Sequence, residues 1–270
     1  MISGRIAGRT TVALLVFAFA LFYVLPFAGL VERAAEDGRT FELMKSDVAL
    51  DALRLSLITS TVATVLAILL GTPVAHIIAR RQFRGRSLAN ALIDLPIILP
   101  PTVAGVALLT AFGRRGLVGE PIEDLLGITF GFTTTAVVMA QLLVAGPFYV
   151  RAAIAGFESV SPDYERVAST LGAGEWRTFR EVLLPLARSN LLAGIVLCWT
   201  RAMGELGATL LFAGNLRGET QTMPLAILQA FESRDLGLPG AIALSLMLIT
   251  VALVILVALR LVTHRSAYEL

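Results

Sequence analysis

The sequence predicts an all-α membrane protein with six transmembrane helices, and its composition and hydropathy patterning carry that prediction. Hydrophobic residues make up 56% of the 270 residues, charged residues only 16%, and the mean hydropathy is +0.80. Soluble domains carry about 25% charged residues. Such an apolar excess cannot all be buried in one soluble core. In addition, six stretches reach the roughly 20 mostly apolar residues that a membrane-spanning helix needs.

The six predicted spans follow one another along the chain. They cover residues 11–31, 55–79, 92–113, 128–150, 190–213 and 238–260, with tails at 1–10 and 261–270. Strands would leave backbone polar groups bare in hydrocarbon, so each span is predicted to be a helix. The first span follows Arg5 and Arg9, as the apolar part of a signal peptide would. Its apolar run is too long for that, and no Ala-x-Ala site follows it, so we expect it to be retained.

The basic residues predict that both termini lie in the cytoplasm. Residues 80–86 contain four arginines, and this orientation puts 13 of the 22 basic residues in segments on the inner side. Short loops rich in lysine and arginine stay on the cytoplasmic side of the membrane.

Asp94, Arg201 and Glu205 fall within the predicted spans, where charge is costly and is a candidate for function. Asp94 stands at the entry to the third span, where it either interacts with the helix dipole or has a functional role. Arg201 and Glu205 are four residues apart in the fifth span and would share one helix face. They are either a mutually neutralising pair or a position that a passing anion meets.

Several classes of enzyme are excluded by the residues present. Lys45 is the only lysine and no glycine run precedes it, so there is no phosphate-binding P-loop. His76 and His264 are too far apart in sequence for an HExxH zinc site, and no Gly-x-Ser-x-Gly motif occurs. Cys198 is the only cysteine, which rules out a disulfide framework and a thiolate metal cluster. The net charge of +2 is too small to indicate a nucleic-acid partner.

The segment 161–185, between the fourth and fifth spans, carries strong helix signals. Ser161, Pro162 and Asp163 combine an N-cap serine, a proline at the first helical position and an acid in the first turn. Gly172 can supply the left-handed residue that ends the helix. We predict a helix of about ten residues, which is either a surface helix on lipid headgroups or a docking element for a partner.

This segment resembles the EAA loop of ABC importer permeases. That loop places an acid and small residues before a glycine, and nine intervening residues then lead to an I-x-L-P motif. Here Gly172 is followed after nine residues by residues 182–185, Val-Leu-Leu-Pro, and Ala168 occupies a small position. The acid is displaced by one residue, because Arg166 takes its usual place and Glu165 precedes it.

Further motifs narrow the resemblance to molybdate-type permeases. They are residues 95–105 (LPIILPPTVAG), 113–116 (GRRG), 201–209 (RAMGELGAT) and 218–224 (GETQTMP). Together the resemblance covers residues 53–259. Over this range the chain resembles the permeases for molybdate, tungstate and sulfate.

The resemblance implies a bundle like that of type I ABC importer permeases, in a prokaryotic plasma membrane. It implies a homodimer of permease subunits, two cytoplasmic ATPases that hold ATP and Mg, and an external substrate-binding protein. The imported oxyanion would be molybdate, or alternatively tungstate, sulfate or thiosulfate. This chain would hold no cofactor or metal and would not be catalytic by itself. The implied site residues are those of the ATPase-docking loop and those of a translocation path: Glu165, Arg166, Ala168, Gly172, Leu184 and Pro185 for docking, and Pro100, Pro101, Thr102, Arg201 and Glu205 for the path.

Three other readings stay open on the sequence alone. A secondary transporter driven by an ion gradient could use Asp94, Glu205 or His76 as a proton relay, although no inverted repeat is evident. The sequence lacks the catalytic constellation that an intramembrane enzyme would need. A purely structural membrane protein would leave the capped segment 161–185 unexplained.

Residues 222–232 are predicted to form a helix that re-enters the outer membrane surface or rests on it.

Overall fold

The structure, a computed structural model, is an α-helical bundle that describes residues 2–268 and the side chains of residues 12–258. Residues 2–268 contain no strand. Residues 1 and 269–270 of the predicted tails lie outside the described residues. The helices are α1 (Ile2–Glu36), α2 (Thr40–Met44), α3 (Asp47–Arg80), α4 (Arg86–Ile98), α5 (Pro101–Phe112), α6 (Gly119–Leu126), α7 (Thr134–Ser159), α8 (Pro162–Thr170), α9 (Glu175–Thr178), α10 (Leu184–Met203), α11 (Gly207–Ala213), α12 (Met223–Glu232) and α13 (Gly237–Tyr268), with a π-helical turn at Phe179–Leu183 between α9 and α10.

Five helical segments of the described chain are long and apolar enough to cross a membrane. They are Val12–Glu36, Asp47–Arg80, Thr134–Ser159, Glu175–Met203 and Gly237–Ala258. α4 and α5 form a sixth apolar unit, which is bent by 114° between the two helices. The prediction of an all-α membrane fold is therefore confirmed, while the cytoplasmic placement of the termini stays a prediction.

α3, α7 and α10 form the centre of the bundle, and they pack closely because small residues face one another there. A Cβ atom added to Gly71 of α3 would lie 2.8 Å from Val150 Cγ2 of α7. One added to Gly194 of α10 would lie 2.6 Å from the Cβ atom of Ala152. Small residues of this kind let helix backbones approach in membranes, where apolar burial itself gives no driving force between helices.

α3 and α7 both end close to α8, and this side of the bundle is called the loop end. α3 has 34 residues, which corresponds to about 51 Å at 1.5 Å per residue. That exceeds the roughly 30 Å of hydrocarbon in a bilayer. α3 is therefore longer than a perpendicular crossing of the hydrocarbon layer requires.

The third predicted span, residues 92–113, is not one helix. α4 begins earlier, at Arg86, and ends at Ile98, and a new helix begins at Pro101. Leu99 is extended, with φ −69° and ψ 139°, because a residue before proline is disfavoured in the helical region. Pro101 then fits the first position of α5, where no N–H is needed.

The fourth and fifth spans also depart from the predicted bounds of 128–150 and 190–213. α7 begins only at Thr134, since the apolar residues before it form a loop that hydrogen-bonds through the Phe132 N–H to the Phe212 carbonyl oxygen at 3.1 Å. It continues to Ser159, which places Arg151 within the helix rather than after it. The fifth span stops at Met203 and resumes as the short helix α11.

α1 differs from the other spans because it lies against the edge of the bundle. No residue in its apolar window is buried, and α13 supplies its main contact within the chain. α12, the helix predicted over residues 222–232, is instead enclosed between α3 and α13. The Met223 N–H donates to Ser56 Oγ at 2.7 Å, and Leu225 is fully buried.

Candidate functional site: a docking loop and a crossing of broken spans

The docking loop, residues 161–185, begins with the predicted capped helix. Ser161 Oγ accepts a hydrogen bond from the Asp163 N–H at 3.3 Å, and α8 starts at Pro162. Gly172 is left-handed, with φ +80°. The Gly172 N–H donates to the Ser169 carbonyl and the Ala173 N–H to the Ala168 carbonyl, both at 3.0 Å. This pair of bonds is a Schellman motif, so local chemistry fixes both ends of α8.

The two faces of α8 have different environments. Glu165 and Ala168 face the bundle and are partly buried. Tyr164, Val167 and Leu171 are exposed and spaced three and four residues apart, so they form one apolar face. Sequence reasoning missed this outward apolar face. The signal was present in the sequence as apolar residues at helical spacing.

Glu165 is engaged within the chain. Its Oε1 lies 2.6 Å from Nε of Arg80, the last residue of α3, and Arg80 Nη2 also donates to the Val160 carbonyl at 2.9 Å. Arg80 therefore ties α8 and the end of α7 to the end of α3. Arg166, in the place usual for the acid of the EAA motif, is exposed and pairs with Asp163 at 2.7 Å.

The other two predicted docking residues lie where the loop returns to the bundle. Leu184 is partly buried against the core, and Pro185 is exposed in the first turn of α10. They follow the π-helical turn, in which the Leu184 N–H bonds to the Phe179 carbonyl oxygen. They mark the start of the fifth span rather than the outward face of α8.

The second candidate region is the crossing, where α5 and α11 meet just after the two breaks. A Cβ atom added to Gly207 would lie 2.9 Å from the Cβ atom of Pro101 and 3.4 Å from the Thr102 nitrogen. One added to Gly105 would lie 2.9 Å from Leu211 Cβ and 3.0 Å from the backbone of Ala208. The structure therefore brings together two motifs that are about 100 residues apart in the sequence.

Glu205 and Arg201 lie at the second break, and their arrangement differs from the shared helix face that was predicted. α10 ends between them, at Met203. Glu205 is 1% exposed, and its Oε1 accepts a hydrogen bond from the Ala208 N–H at 2.8 Å, which caps α11. Its Oε2 lies 3.0 Å from Nη1 of Arg201, whose side chain is 31% exposed. The carboxylate is thus enclosed, and the arginine is the member of the pair that water or an anion can reach.

Pro100, Pro101 and Thr102 are all exposed at the start of α5. Of the predicted path residues, the structure places Pro101 and Thr102 directly against Gly207, two residues beyond Glu205. Four of the five predicted path residues therefore belong to the two breaks and the start of α5, and Arg201 lies in the last turn of α10 just before the second break.

Asp94 has a partner that sequence reasoning did not identify. It lies within α4 rather than at a helix start, and Arg151 of α7 donates to both of its carboxylate oxygens at 2.5 Å. The signal was available, because an acid inside an apolar stretch needs a cation. Arg151 directly follows the fourth predicted span, residues 128–150.

Comparison with known proteins decides the family. Residues 67–268 match the model for "Binding-protein-dependent transport system inner membrane component". The chain belongs to this family. Proteins of this kind are multi-pass components of the cytoplasmic membrane and work in binding-protein-dependent ABC complexes, in which the permease subunit is not itself catalytic.

Individual relatives support the same placement. The chain is 41% identical over 233 residues to the molybdenum transport system permease protein ModB of Mycobacterium tuberculosis, covering 86% of each protein. It is 34% identical over 265 residues to the sulfate transport system permease protein CysW of Synechococcus elongatus, covering 96% of this chain and 92% of the relative. Its fold is similar to a chain of a bacterial ABC transporter for alginate, with a TM-score of 0.74, 16% identity and coverage of 93% and 92%.

Proposed function

We propose that this chain is the membrane-spanning subunit of an ABC importer that carries molybdate into the cell, with tungstate and with sulfate or thiosulfate as the alternatives. The observation that carries the proposal is the 41% identity to a molybdenum permease over 86% of the chain. The crossing is consistent with an anionic substrate, because its accessible charge is Arg201 while Glu205 is enclosed. A guanidinium suits a tetrahedral oxyanion, since it presents several donors in one plane.

The proposed assembly contains two copies of this chain, two ATPase subunits and an external binding protein. The sequence has no P-loop, so ATP and Mg would be held by the separate ATPase, and no cofactor is assigned to this chain. The exposed apolar face of α8, with Tyr164, Val167 and Leu171, would be covered by that ATPase. On this proposal the loop end would lie in the cytoplasm, together with both termini as the sequence predicts.

The geometry supports two separate roles for the residues of the docking loop, one in contacting the ATPase and one in anchoring α8. Tyr164, Val167 and Leu171 would bind the ATPase directly. Glu165, held by Arg80, would keep α8 fixed to the ends of α3 and α7. Movement of the ATPases during nucleotide binding would then reach the spans as a rigid-body displacement, of the kind that couples distant sites in other transporters and enzymes.

Reconstitution distinguishes this proposal from a sulfate importer and from a secondary transporter. The complex, purified from its native host through a tag on this chain, is placed in liposomes with ATP inside. Molybdate should stimulate ATP hydrolysis and accumulate in the lumen only when the binding protein is present. Stimulation by sulfate but not molybdate would favour the sulfate alternative. Uptake that persists after ATP depletion, with an ion gradient intact, would instead identify a secondary transporter.

A further inference from the structure

α4 is a helix whose polar side chains face the bundle and whose apolar side chains face outwards. Asn90 and Asp94 are directed at α7, whereas Leu88, Leu92 and Ile98 are exposed. None of its 13 residues is buried within the chain. This reverses the pattern of a soluble surface helix and leaves α4 with a polar seam against α7.

Arg151 supplies most of that polar seam. Its Nε and Nη2 donate to the two carboxylate oxygens of Asp94, each at 2.5 Å. Its Nη1 donates to Asn90 Oδ1 at 2.7 Å, and its Nη2 also donates to the Asn90 carbonyl at 2.8 Å. A guanidinium is suited to this fork-shaped recognition, and a lysine could not reproduce it.

A second arginine fastens α4 at the loop end. Arg86 Nε donates to the Ile78 carbonyl of α3 at 2.9 Å, and its Nη2 donates to Glu158 Oε1 of α7, also at 2.9 Å. Apart from Ala89 and Ile93, which pack at the edge of the core, α4 is therefore held by charged and polar contacts.

The polar seam is connected to the docking loop through α7. Only Val160 and Ser161 separate the end of α7 from α8, and Arg80 binds both Val160 and Glu165. Arg151 lies eight residues before Ser159, about 12 Å along the helix axis. A displacement of α8 therefore reaches Arg151 along one continuous helix. Arg151 passes it to the middle of α4 through Asp94 and Asn90, while Arg86 joins the start of α4 to Glu158 at the end of α7.

We propose that Arg151, Asp94 and Asn90 form a latch, which joins α4 to α7 in one state of the transport cycle and opens in the other. The side chains of Arg151 and Asp94 are 31% and 41% exposed, so the chain does not enclose this ion pair. Separating a fully buried pair would leave uncompensated charges inside the protein, which is strongly destabilising. The latch residues position α4 and need not touch the anion. This inference rests on the proposed function, because the cycle it invokes is that of an ATP-driven importer.

The test measures whether the polar seam opens when nucleotide binds. Cys198 is buried and is the only cysteine, so a Cys198→Ala background accepts single reporters. Ala89→Cys places a thiol on the half-buried side of α4, and Ser87→Cys places one on its exposed side as a control. The complex with its ATPase is labelled with a water-soluble maleimide, without nucleotide and after trapping with ATP and vanadate. Ala89→Cys labelling should rise by about fivefold on trapping, the low end of allosteric coupling, while Ser87→Cys labelling should stay constant.

Charge variants show whether the ion pair controls that opening. Asp94→Asn should give fast labelling of the cysteine at position 89 without nucleotide, together with raised basal ATPase activity. The exchanged pair Asp94→Arg with Arg151→Asp should restore wild-type values. Glu123→Gln removes an ion pair of 3.0 Å with Arg114 that is unconnected to the docking loop, and it should change neither readout.

Three outcomes would overturn the latch. The first is labelling at position 89 that does not change with nucleotide, and the second is wild-type labelling and basal ATPase activity in Asp94→Asn, as expected for Glu123→Gln. The third is an exchanged pair whose labelling and ATPase activity are as altered as those of Asp94→Asn alone. If Asp94→Asn does not assemble, Asn90→Ala keeps the ion pair and should give intermediate labelling, and wild-type labelling there would also refute the latch. The reporter requires only the ATPase and nucleotide. A failure of molybdate to stimulate hydrolysis would therefore refute the proposed substrate without deciding the latch.

Discussion

The close packing of α5 on α11 at Gly105 predicts that a single added methyl group at the crossing will destabilise the protein. In Gly105→Ala the new Cβ atom would lie 2.9 Å from Leu211 Cβ and 3.0 Å from both Cα and O of Ala208. Two of these three neighbours are backbone atoms of α11. They cannot move away as the end of a flexible side chain could, so α5 and α11 would have to separate.

A matched control isolates the size of this effect. Gly29 lies inside α1, and a Cβ atom added there would have no neighbouring atom within 4 Å. Alanine is favoured over glycine in a helix interior by about 0.5–1 kcal/mol, and both variants gain this contribution. The difference between Gly105→Ala and Gly29→Ala is therefore the cost of overpacking, about 1–3 kcal/mol. Gly29→Ala should be neutral or stabilising, and Gly105→Ala destabilising.

Thermal unfolding in detergent and molybdate uptake in liposomes measure the outcome. Gly105→Ala should lower Tm relative to Gly29→Ala by about 2–4 °C for each kcal/mol, the scale found for soluble domains of this size. It should also reduce uptake, because the crossing holds the predicted path residues together. Equal Tm values and equal uptake for the two variants would refute the close crossing of α5 and α11.

Three further substitutions test the docking loop and the second break. Gly172→Asp should insert normally but abolish uptake, because it adds a charged side chain to the docking loop at a left-handed residue. Aspartate tolerates this conformation better than most residues, so the strain is near the lower end of about 1–2 kcal/mol. Gly174→Asp, in equally open space with an ordinary φ of −72°, should transport normally, and normal uptake by Gly172→Asp would refute the docking role. Leu171→Asp should weaken ATPase binding about tenfold or more, since burial of a leucine contributes about 1.5–3 kcal/mol. Leu117→Asp is the control, because Leu117 is 84% exposed compared with 82% for Leu171, and it should leave ATPase binding unchanged. Equal losses of ATPase binding in the two variants would contradict the assignment of Leu171 to the docking face. Glu205→Gln retains an oxygen to cap α11 but loses the negative charge, so Tm should hold while uptake and coupled ATPase activity fall; if neither falls, the residue is structural.

The features that the sequence predicted well are those fixed by local chemistry. The spans follow from apolar length alone, and α8 begins at a serine-proline pair and ends at Gly172, as its neighbours in the chain dictate. The break before Pro101 also has a local cause, although its angle does not. Predicting these elements requires no information about residues far away in the sequence.

The features that the sequence did not predict depend on partners far along the chain. Which face of α8 turns inward is decided by Arg80, at the end of a helix two spans earlier. The fifth span was predicted as one helix, but it ends at Met203, and Glu205 caps the helix that resumes after the break. Glycines on both sides of that acid were the only local sign. Arg151 was assigned to a loop because the apolar run before it ends there, whereas the helix continues to Ser159.

The contacts of the third span indicate which of its two halves can move. α5 packs so closely on α11 around Gly105 that a Cβ atom added there would lie 3.0 Å from the backbone of Ala208. α4 has no buried residue and is held by ion pairs that the chain leaves partly exposed. Movement is therefore expected in α4 with its pivot at the extended residue Leu99, while α5 and the crossing stay in place. Variants at Asp94 should then change coupling and basal ATPase activity with little change in Tm, whereas Gly105→Ala should lower Tm. A loss of Tm for Asp94→Asn as large as that for Gly105→Ala would contradict this division.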